Sequence, residues 1–165
     1  MEVKVSVILP SLNVAGYIDR AIESVTAQSM SDIEIICIDA GSEDGTFERI
    51  ASRARQDPRI IVVQTKIRSY GFQVNLGIRM AKGKYIAILE TDDFVDKDTY
   101  EQLYFYAEKY RCDYVKADYL AFWTQDNGQI VYLNRKCFLD DNLYGRVIRP
   151  RAHREVATDD WYIWT

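Results

Sequence analysis

Short apolar runs alternate with longer amphipathic segments from residue 3 to about residue 90. The short runs are rich in Val and Ile and carry apolar residues on both faces, as strands do when helices cover both sides of a parallel sheet. In the longer segments apolar residues recur every three or four positions, for example at Ile18, Ala21, Ile22 and Val25. This alternation predicts parallel strands joined by crossover helices, which is the pattern of an α/β fold.

The same pattern gives the bounds of the predicted elements. We expect strands at residues 3–9, 33–38, 60–63 and 85–89, and helices at about 15–28, from 47 to before Pro58, at 72–81 and at 98–110. Two further strands, at 114–122 and 130–133, flank Asp126-Asn127-Gly128, which is a strong hairpin-turn signal. Periodicity is weak after Asn134. The prediction is one domain over residues 1–165, with a mostly parallel sheet followed by an antiparallel hairpin.

Composition narrows the class of protein. The chain has 165 residues, of which 48% are apolar and 28% are charged, as in an ordinary globular domain. A net charge of -4 argues against a nucleic-acid partner. No apolar stretch is long enough for a transmembrane segment, and residues 1–4 do not open a signal peptide. We therefore expect a cytoplasmic protein, with peripheral attachment to a membrane left open.

Cysteine, histidine and arginine add little to this picture. Cys37, Cys112 and Cys137 are odd in number and widely spaced, so we expect reduced structural thiols. The lone His153 is interpreted as a surface residue. Four arginines fall within nine residues and could bind a phosphate, although a solvated loop is the favoured interpretation: Arg146, Arg149, Arg151 and Arg154.

Polar residues follow three of the predicted strands. They read Pro10-Ser11-Leu12-Asn13, then Asp39 to Gly45, and then Glu90-Thr91-Asp92-Asp93. Open parallel sheets bind ligands at the carboxyl ends of their strands, so these residues are the candidate site. Neither the glycine fingerprint of a dinucleotide-binding unit nor a P-loop is present.

The acidic run after the fourth strand is the most informative of these segments. Glu90, Asp92 and Asp93 place three carboxylates within four residues, and they repel one another unless a cation compensates. Carboxylate oxygens suit Mg²⁺ or Mn²⁺, which complete their shell with substrate phosphates and water. A solvated acidic turn, or a helix cap, is the alternative.

Four blocks together resemble the family 2 glycosyltransferases, which have the GT-A fold. The opening strand with Pro10 and Asn13 resembles the first motif, and Ile38-Asp39-Ala40-Gly41-Ser42-Glu43-Asp44-Gly45-Thr46 resembles the second. The family's D-x-D block is similar to the segment 85–93. Its third-helix block is similar to six residues just before that segment: Gly71, Asn75, Gly77, Ala81, Lys82 and Gly83. The resemblance covers residues 3 to about 123.

The resemblance implies roles for single residues. It places Pro10, Ser11 and Asn13 against a nucleoside and Asp39 on its base, with Asn75 and Glu90 as further donor-binding residues. It also places Asp92 and Asp93 at the ribose, the diphosphate and the metal. By ordinary local structure, Asn13 could instead cap the first helix and Asp39 could form an Asx turn.

Three positions depart from the family pattern, and one late pair completes it. Glu90 replaces the usual first Asp of D-x-D, while Ala40 and Val74 replace a common Asp and Arg. Asp159-Asp160-Trp161 is similar to the family's late acidic pair, so the resemblance implies Asp160 as the catalytic base. A pair of exposed acidic residues at a helix start is the alternative. We also expect the domain to continue beyond Thr165.

The resemblance implies transfer of a sugar from a nucleoside diphosphate, with UDP as the expected nucleotide. The acceptor would be a hydroxyl of a carbohydrate or of a lipid-linked saccharide, and the reaction would be metal-dependent and would invert the anomeric carbon. A nucleotide-sugar binding module without turnover and a nucleotidyltransferase remain alternatives. Aromatic residues between Tyr100 and Trp123 could stack on a sugar, but core packing is the favoured interpretation.

Overall fold

A computed structural model describes residues 2–136 and 145–148 of the chain. The chain divides into two compact units, residues 1–104 and 105–165, and the division falls inside a helix. The elements are β1 (Val5–Ser11), α1 (Ile18–Thr26), β2 (Ile33–Asp39), α2 (Thr46–Ala54), β3 (Ile60–Gln64), α3 (Tyr70–Met80), β4 (Tyr85–Ile88), α4 (Thr99–Tyr110), β5 (Tyr119–Thr124) and β6 (Ile130–Arg135).

The first unit contains a four-stranded parallel sheet with the strand order β3-β2-β1-β4. β1 and β2 lie at its centre, and all seven residues of each strand are buried. In the register of the sheet Ser11 is opposite Asp39, and Asp39 is opposite Gln64. The carboxyl ends of three strands therefore meet at one edge, where the sequence places its polar residues.

Helices cover both faces of this sheet, as predicted. α1 packs Ile18, Ile22 and Val25 on one face, and α2 adds Ile50 to the same cluster. The other face buries Ile8, Ile36 and Ile38, with Leu76 and Met80 of α3 packed against them. Alternate residues of β1 and β2 serve the two clusters, which explains why these strands have no polar face.

Two glycines allow α3 and the segment after it to approach the sheet closely. A Cβ added at Gly77 would lie 2.5 Å from Cγ2 of Ile8, and one added at Gly83 would lie 2.5 Å from the amide nitrogen of Ser6. Beside them the buried carboxylate of Glu34 accepts hydrogen bonds from Ser6 Oγ and from the amide of Lys82. The segment after α3 is therefore fixed to the sheet by packing and by buried polar contacts.

The second unit contains the predicted hairpin. β5 and β6 pair antiparallel with Tyr119 opposite Arg135, and Gly128 takes a positive φ of 81° in the turn. β5 begins at Tyr119 instead of residue 114, so the apolar run alone misplaced its start.

The prediction that the aromatic residues pack in the core was wrong for several of them, which are exposed: Phe105, Tyr106, Tyr110, Tyr114, Tyr119 and Trp123. In the first unit Tyr100 is buried and Tyr104 packs against the core, as predicted.

Some predicted bounds in the first unit shift by two or three residues. β1 runs from Val5 to Ser11 instead of 3–9, because Pro10 and Ser11 stay in register with Ile38 and Asp39 of β2. α1 begins at Ile18 instead of about residue 15, because the residues before it are bound to the loop after β2.

Two of the three cysteines lie in the described part of the chain. Neither Cys37 nor Cys112 forms a disulfide with another described residue, and Cys137 lies outside the described residues. Burial raises the pKa of the Cys37 thiol to about 12. Among residues 2–136 and 145–148 there is no helix that combines the length and apolar character needed to cross a bilayer.

Candidate functional site

The loops after β1 and β2 are bound to each other at the carboxyl edge of the sheet. The backbone amide of Asn13 donates to Ser42 Oγ at 2.9 Å, and its side-chain Oδ1 accepts from the backbone amide of Glu43 at 2.9 Å. Asn13 takes a φ of 54°, a conformation that Asn tolerates better than most residues. The N-cap of α1 is Tyr17, so the alternative in which Asn13 caps this helix was wrong.

A second pair of contacts reinforces this connection. Asp44 Oδ2 accepts from the amide of Ala15, and Thr46 Oγ1 accepts from the amide of Val14, both at 2.9 Å. Thr46 Oγ1 in turn donates to Asp44 Oδ1 at 2.6 Å, and these bonds hold the pKa of Asp44 below its usual value. The second motif contains Ser42, Asp44 and Thr46, but the sequence predicted no role for these three residues. They fix the two loops relative to each other.

Asp39 is the last residue of β2, directly before the loop that is bound to the loop after β1, and it is fully buried. Its Oδ2 accepts from the amides of Gly41 and Ser42 at 3.1 Å, and from Gln64 Nε2 at 3.3 Å. Gly41 has a φ of 76°, which suits a glycine in a tight turn. The structure thus contains the Asx turn considered from the sequence, and contact of Asp39 with a base stays a prediction.

Pro10 and Ser11 contribute their backbone carbonyls to the edge. The Pro10 carbonyl accepts from Thr91 Oγ1 at 3.2 Å, and the Ser11 carbonyl accepts from the Ala40 amide and from Gln73 Nε2, both at 2.9 Å. Gln73 is 3% exposed, and its role was not predicted from the sequence. A single polar side chain on the buried face of a helix could have indicated such a role. Asn75, the predicted donor-binding residue of α3, is exposed.

Glu90, Asp92 and Asp93 come together directly after β4. All three are exposed, and one carboxylate oxygen of each lies within 4.8 Å of the others. Desolvation, and then the charges of Asp92 and Glu90, raise the pKa of Asp93 above its usual value. Three hard oxygen ligands in this arrangement fit Mg²⁺ or Mn²⁺ with open positions for phosphate and water. The predicted cluster therefore exists as a spatial group.

Two side chains at and just before the start of α3 contact the loops after β2 and β4. Tyr70 donates from its hydroxyl to Glu90 Oε1 at 3.4 Å, and burial together with Glu90 raises the pKa of Tyr70. Arg68 Nη2 donates to the Gly41 carbonyl at 3.2 Å and forms an ion pair with Glu43. Arg68 thus places a cationic group beside the turn that contains Asp39.

The late part of the predicted site is outside the described residues. Asp159 and Asp160 belong to that part, as do His153 and most of the arginine cluster: Arg149, Arg151 and Arg154. Arg146 is described and is exposed. The assignment of Asp160 as catalytic base stays a prediction.

The parallel sheet with helices on both faces and the cluster of three carboxylates after β4 together define an α/β protein of the GT-A class. The sequence model described as glycosyl transferase family 2 matches residues 6–153, and the chain belongs to this family. Within it, glycosyltransferase GlyG of Streptococcus pneumoniae is 31% identical over 98% of this chain and 52% of its own length. The uncharacterized glycosyltransferase EpsJ of Bacillus subtilis is 29% identical over 97% of this chain and 46% of its own length.

Solved structures agree with this placement. TarS 1-349 of S. aureus in complex with UDP-GlcNAc is 25% identical, with a TM-score of 0.62, over 67% of this chain and 32% of that one. The mannosyltransferase PcManGT of Pyrobaculum calidifontis in complex with GDP-Man and Mn²⁺ is 25% identical, with a TM-score of 0.52, over 55% of this chain and 28% of that one. The chain spans about half the length of the first two relatives and about a third of these structures.

Proposed function

We propose that this chain binds the donor in a glycosyltransferase that moves a sugar from a nucleoside diphosphate, UDP in particular, to an acceptor hydroxyl. The carboxylate cluster after β4 is the observation that carries the proposal. It lies on the same edge of the sheet as the turn of Asp39. The UDP-GlcNAc complex of TarS and the GDP-Man complex of PcManGT support a nucleotide-sugar ligand.

The frame at the strand ends suits the nucleoside. Asn13 and Ser42 hold the two loops together, so the carbonyls of Pro10 and Ser11 and the carboxylate of Asp39 keep fixed positions. Acceptors that already have fixed positions lower the ordering cost of binding a base, which favours affinity and orientation. Asn75 remains a donor-binding proposal from an exposed position of α3.

Asp92 and Asp93, with Glu90 beside them, would hold Mg²⁺ or Mn²⁺. The bound cation would neutralise the charge that grows on the diphosphate leaving group. Asp160 would accept the proton of the acceptor hydroxyl while that oxygen attacks the anomeric carbon opposite the diphosphate, which inverts the configuration. We propose a carbohydrate or a lipid-linked saccharide as the acceptor.

UDP titration by calorimetry tests this proposal. We expect UDP to bind more tightly with Mn²⁺ or Mg²⁺ than with EDTA, because three adjacent carboxylates repel an anionic diphosphate until a cation neutralises them. Asp92→Asn should remove most of the metal-dependent gain. The matched control is Asp126→Asn, which changes an exposed aspartate in the hairpin turn of the second unit.

Equal UDP affinity in Mn²⁺ and in EDTA would contradict the metal role. With a UDP-sugar panel, slow metal-dependent hydrolysis of the donor supports the transferase, whereas tight binding with no turnover in the full-length protein supports a binding module. Release of pyrophosphate from UTP would instead identify a nucleotidyltransferase.

A further inference from the structure

Asp39 has no exposed surface in the described part of the chain, although the proposed function requires it to meet a base. Its Oδ2 is occupied by two backbone amides and by Gln64 Nε2, while the one described donor to Oδ1 is the Ser42 amide at 3.4 Å. A carboxylate oxygen accepts two hydrogen bonds, so Oδ1 has capacity left for a base. A base can use this capacity only if a group that covers Asp39 moves.

The backbone around Asp39 is fixed on several sides. The Asp39 carbonyl accepts from the Thr65 amide at 2.8 Å, and the Ala40 amide donates to the Ser11 carbonyl at 2.9 Å. Ser42 is bound through its hydroxyl to the amide of Asn13. Moving either amide donor of the Asx turn would therefore break contacts between neighbouring loops.

Gln64 is different because only its side chain contacts the carboxylate. The residue is exposed, and its bond to Asp39 Oδ2 measures 3.3 Å, which is long for an N–H···O bond. Rotation about the side-chain torsions would remove the amide and leave the pairing of β2 with β3 intact. Exposed side chains change rotamer in picoseconds to nanoseconds, so this step presents no barrier to binding.

We propose that Gln64 determines base specificity: its amide leaves Asp39 when the donor binds and then donates to a carbonyl of the base. This inference rests on the proposed function. Asp39 and Gln64 are register partners on adjacent parallel strands, so their side chains leave the sheet on the same face. Asp39 is an acceptor and the Gln64 amide is a donor. Uracil presents the complementary pair, an N3–H next to a carbonyl oxygen.

Gln64→Leu is the variant that tests this role, because leucine keeps similar bulk without the amide. Its affinity for UDP with Mn²⁺ should fall about three- to tenfold, the usual range for one neutral hydrogen bond. Its affinity for ribose 5-diphosphate, which has no base, should stay equal to that of the unchanged protein. Gln56→Leu is the matched control, because Gln56 is exposed just after α2 and precedes the amino end of β3, whereas Gln64 is at the carboxyl end of that strand.

Three results would overturn the inference. Tighter UDP binding by Gln64→Leu would mean that Gln64 only covers Asp39, and unchanged binding would mean that it does neither. An equal loss for UDP and for ribose 5-diphosphate would mean that the base is not read. Gln64→Ala provides a second variant if the leucine side chain disturbs the fold, as judged by the melting temperature. Failure of the unchanged protein to bind UDP would instead refute the proposed function itself.

Discussion

At the scale of single residues, two aspartates proposed to contact the donor lie in opposite surroundings. Asp39 is buried and accepts hydrogen bonds from the amides of Gly41 and Ser42. Asp92 is exposed and lies beside the like charges of Glu90 and Asp93. The first carboxylate therefore stabilises the fold, whereas the second lies beside two like charges, which is why we propose that a cation binds there.

Alanine substitutions should separate these two roles. Asp39→Ala should lower the free energy of unfolding by about 1.5–3 kcal/mol, because two backbone donors lose a charged acceptor in a buried turn. Asp92→Ala should leave the free energy of unfolding of the metal-free protein unchanged or slightly higher. Urea denaturation in EDTA measures both values, and a stable Asp39→Ala protein would show that the Asx turn does not depend on this carboxylate.

Residue identities at the strand ends were predictable, but their partners were not. The sequence singled out Asn13 and Asp39 as polar residues after strands, and it offered a helix cap and an Asx turn as local explanations. The Asx turn is confirmed because it needs only residues two and three positions ahead. The helix cap was wrong because Glu43, thirty positions away, supplies a donor to Asn13 that no local pattern contains.

At the scale of secondary-structure elements, α3 depends on a glycine for its distance from the sheet. A Cβ at Gly77 would lie within 3.0 Å of three side-chain atoms of Ile8. Ile8 is fully buried on a central strand and has little freedom to move. Gly71 is in the same helix, and a Cβ there would meet nothing within 4 Å.

Gly77→Ala should lower the free energy of unfolding by about 1–3 kcal/mol, the usual range for overpacking a core. Gly71→Ala should leave it unchanged or raise it by up to about 1 kcal/mol, because alanine favours a helix more than glycine does. Thermal or urea unfolding of the two variants makes the comparison. Similar behaviour of both variants would mean that helix propensity, and not the approach of α3 to Ile8, decides the effect.

The elements themselves followed from periodicity, while the ends of some of them did not. The bounds of β2 and α4 were predicted to within one residue, since apolar spacing alone defines them. β1 extends to Ser11 because its neighbour β2 continues the hydrogen-bonded ladder past the apolar run. The end of β1 therefore depends on β2, and the sequence of β1 alone does not contain that information.

At the scale of the whole molecule, the family model matches residues 6–153, and the chain covers about half the length of its relatives. The proposed base, Asp160, lies outside the described residues. Its assignment depends on the late acidic pair alone. A kinetic test is therefore needed to separate it from the donor-binding residues.

Asp160→Asn in the full-length protein should lower kcat by roughly 100-fold or more, the range for loss of a general base, with donor affinity within a few-fold. Steady-state transfer assays and UDP titration measure the two quantities separately. Asp159→Asn is the matched control, and a larger loss there would move the base to Asp159. Full activity of Asp160→Asn would show that the proton acceptor lies elsewhere in the protein.

The sequence by itself determined the α/β class, the number and order of the elements and the polar edge, because hydrophobic periodicity and strand-end chemistry are local properties of a chain. It also determined the family, through four blocks in order. Tertiary structure decided which strands are neighbours, that Gln73 and Gln64 join the edge, and that Asn13 binds the loop of Asp39. These contacts join residues between 25 and 62 positions apart, and only the packing of β1, β2, β3 and α3 into one sheet and its covering helix brings them within hydrogen-bond distance.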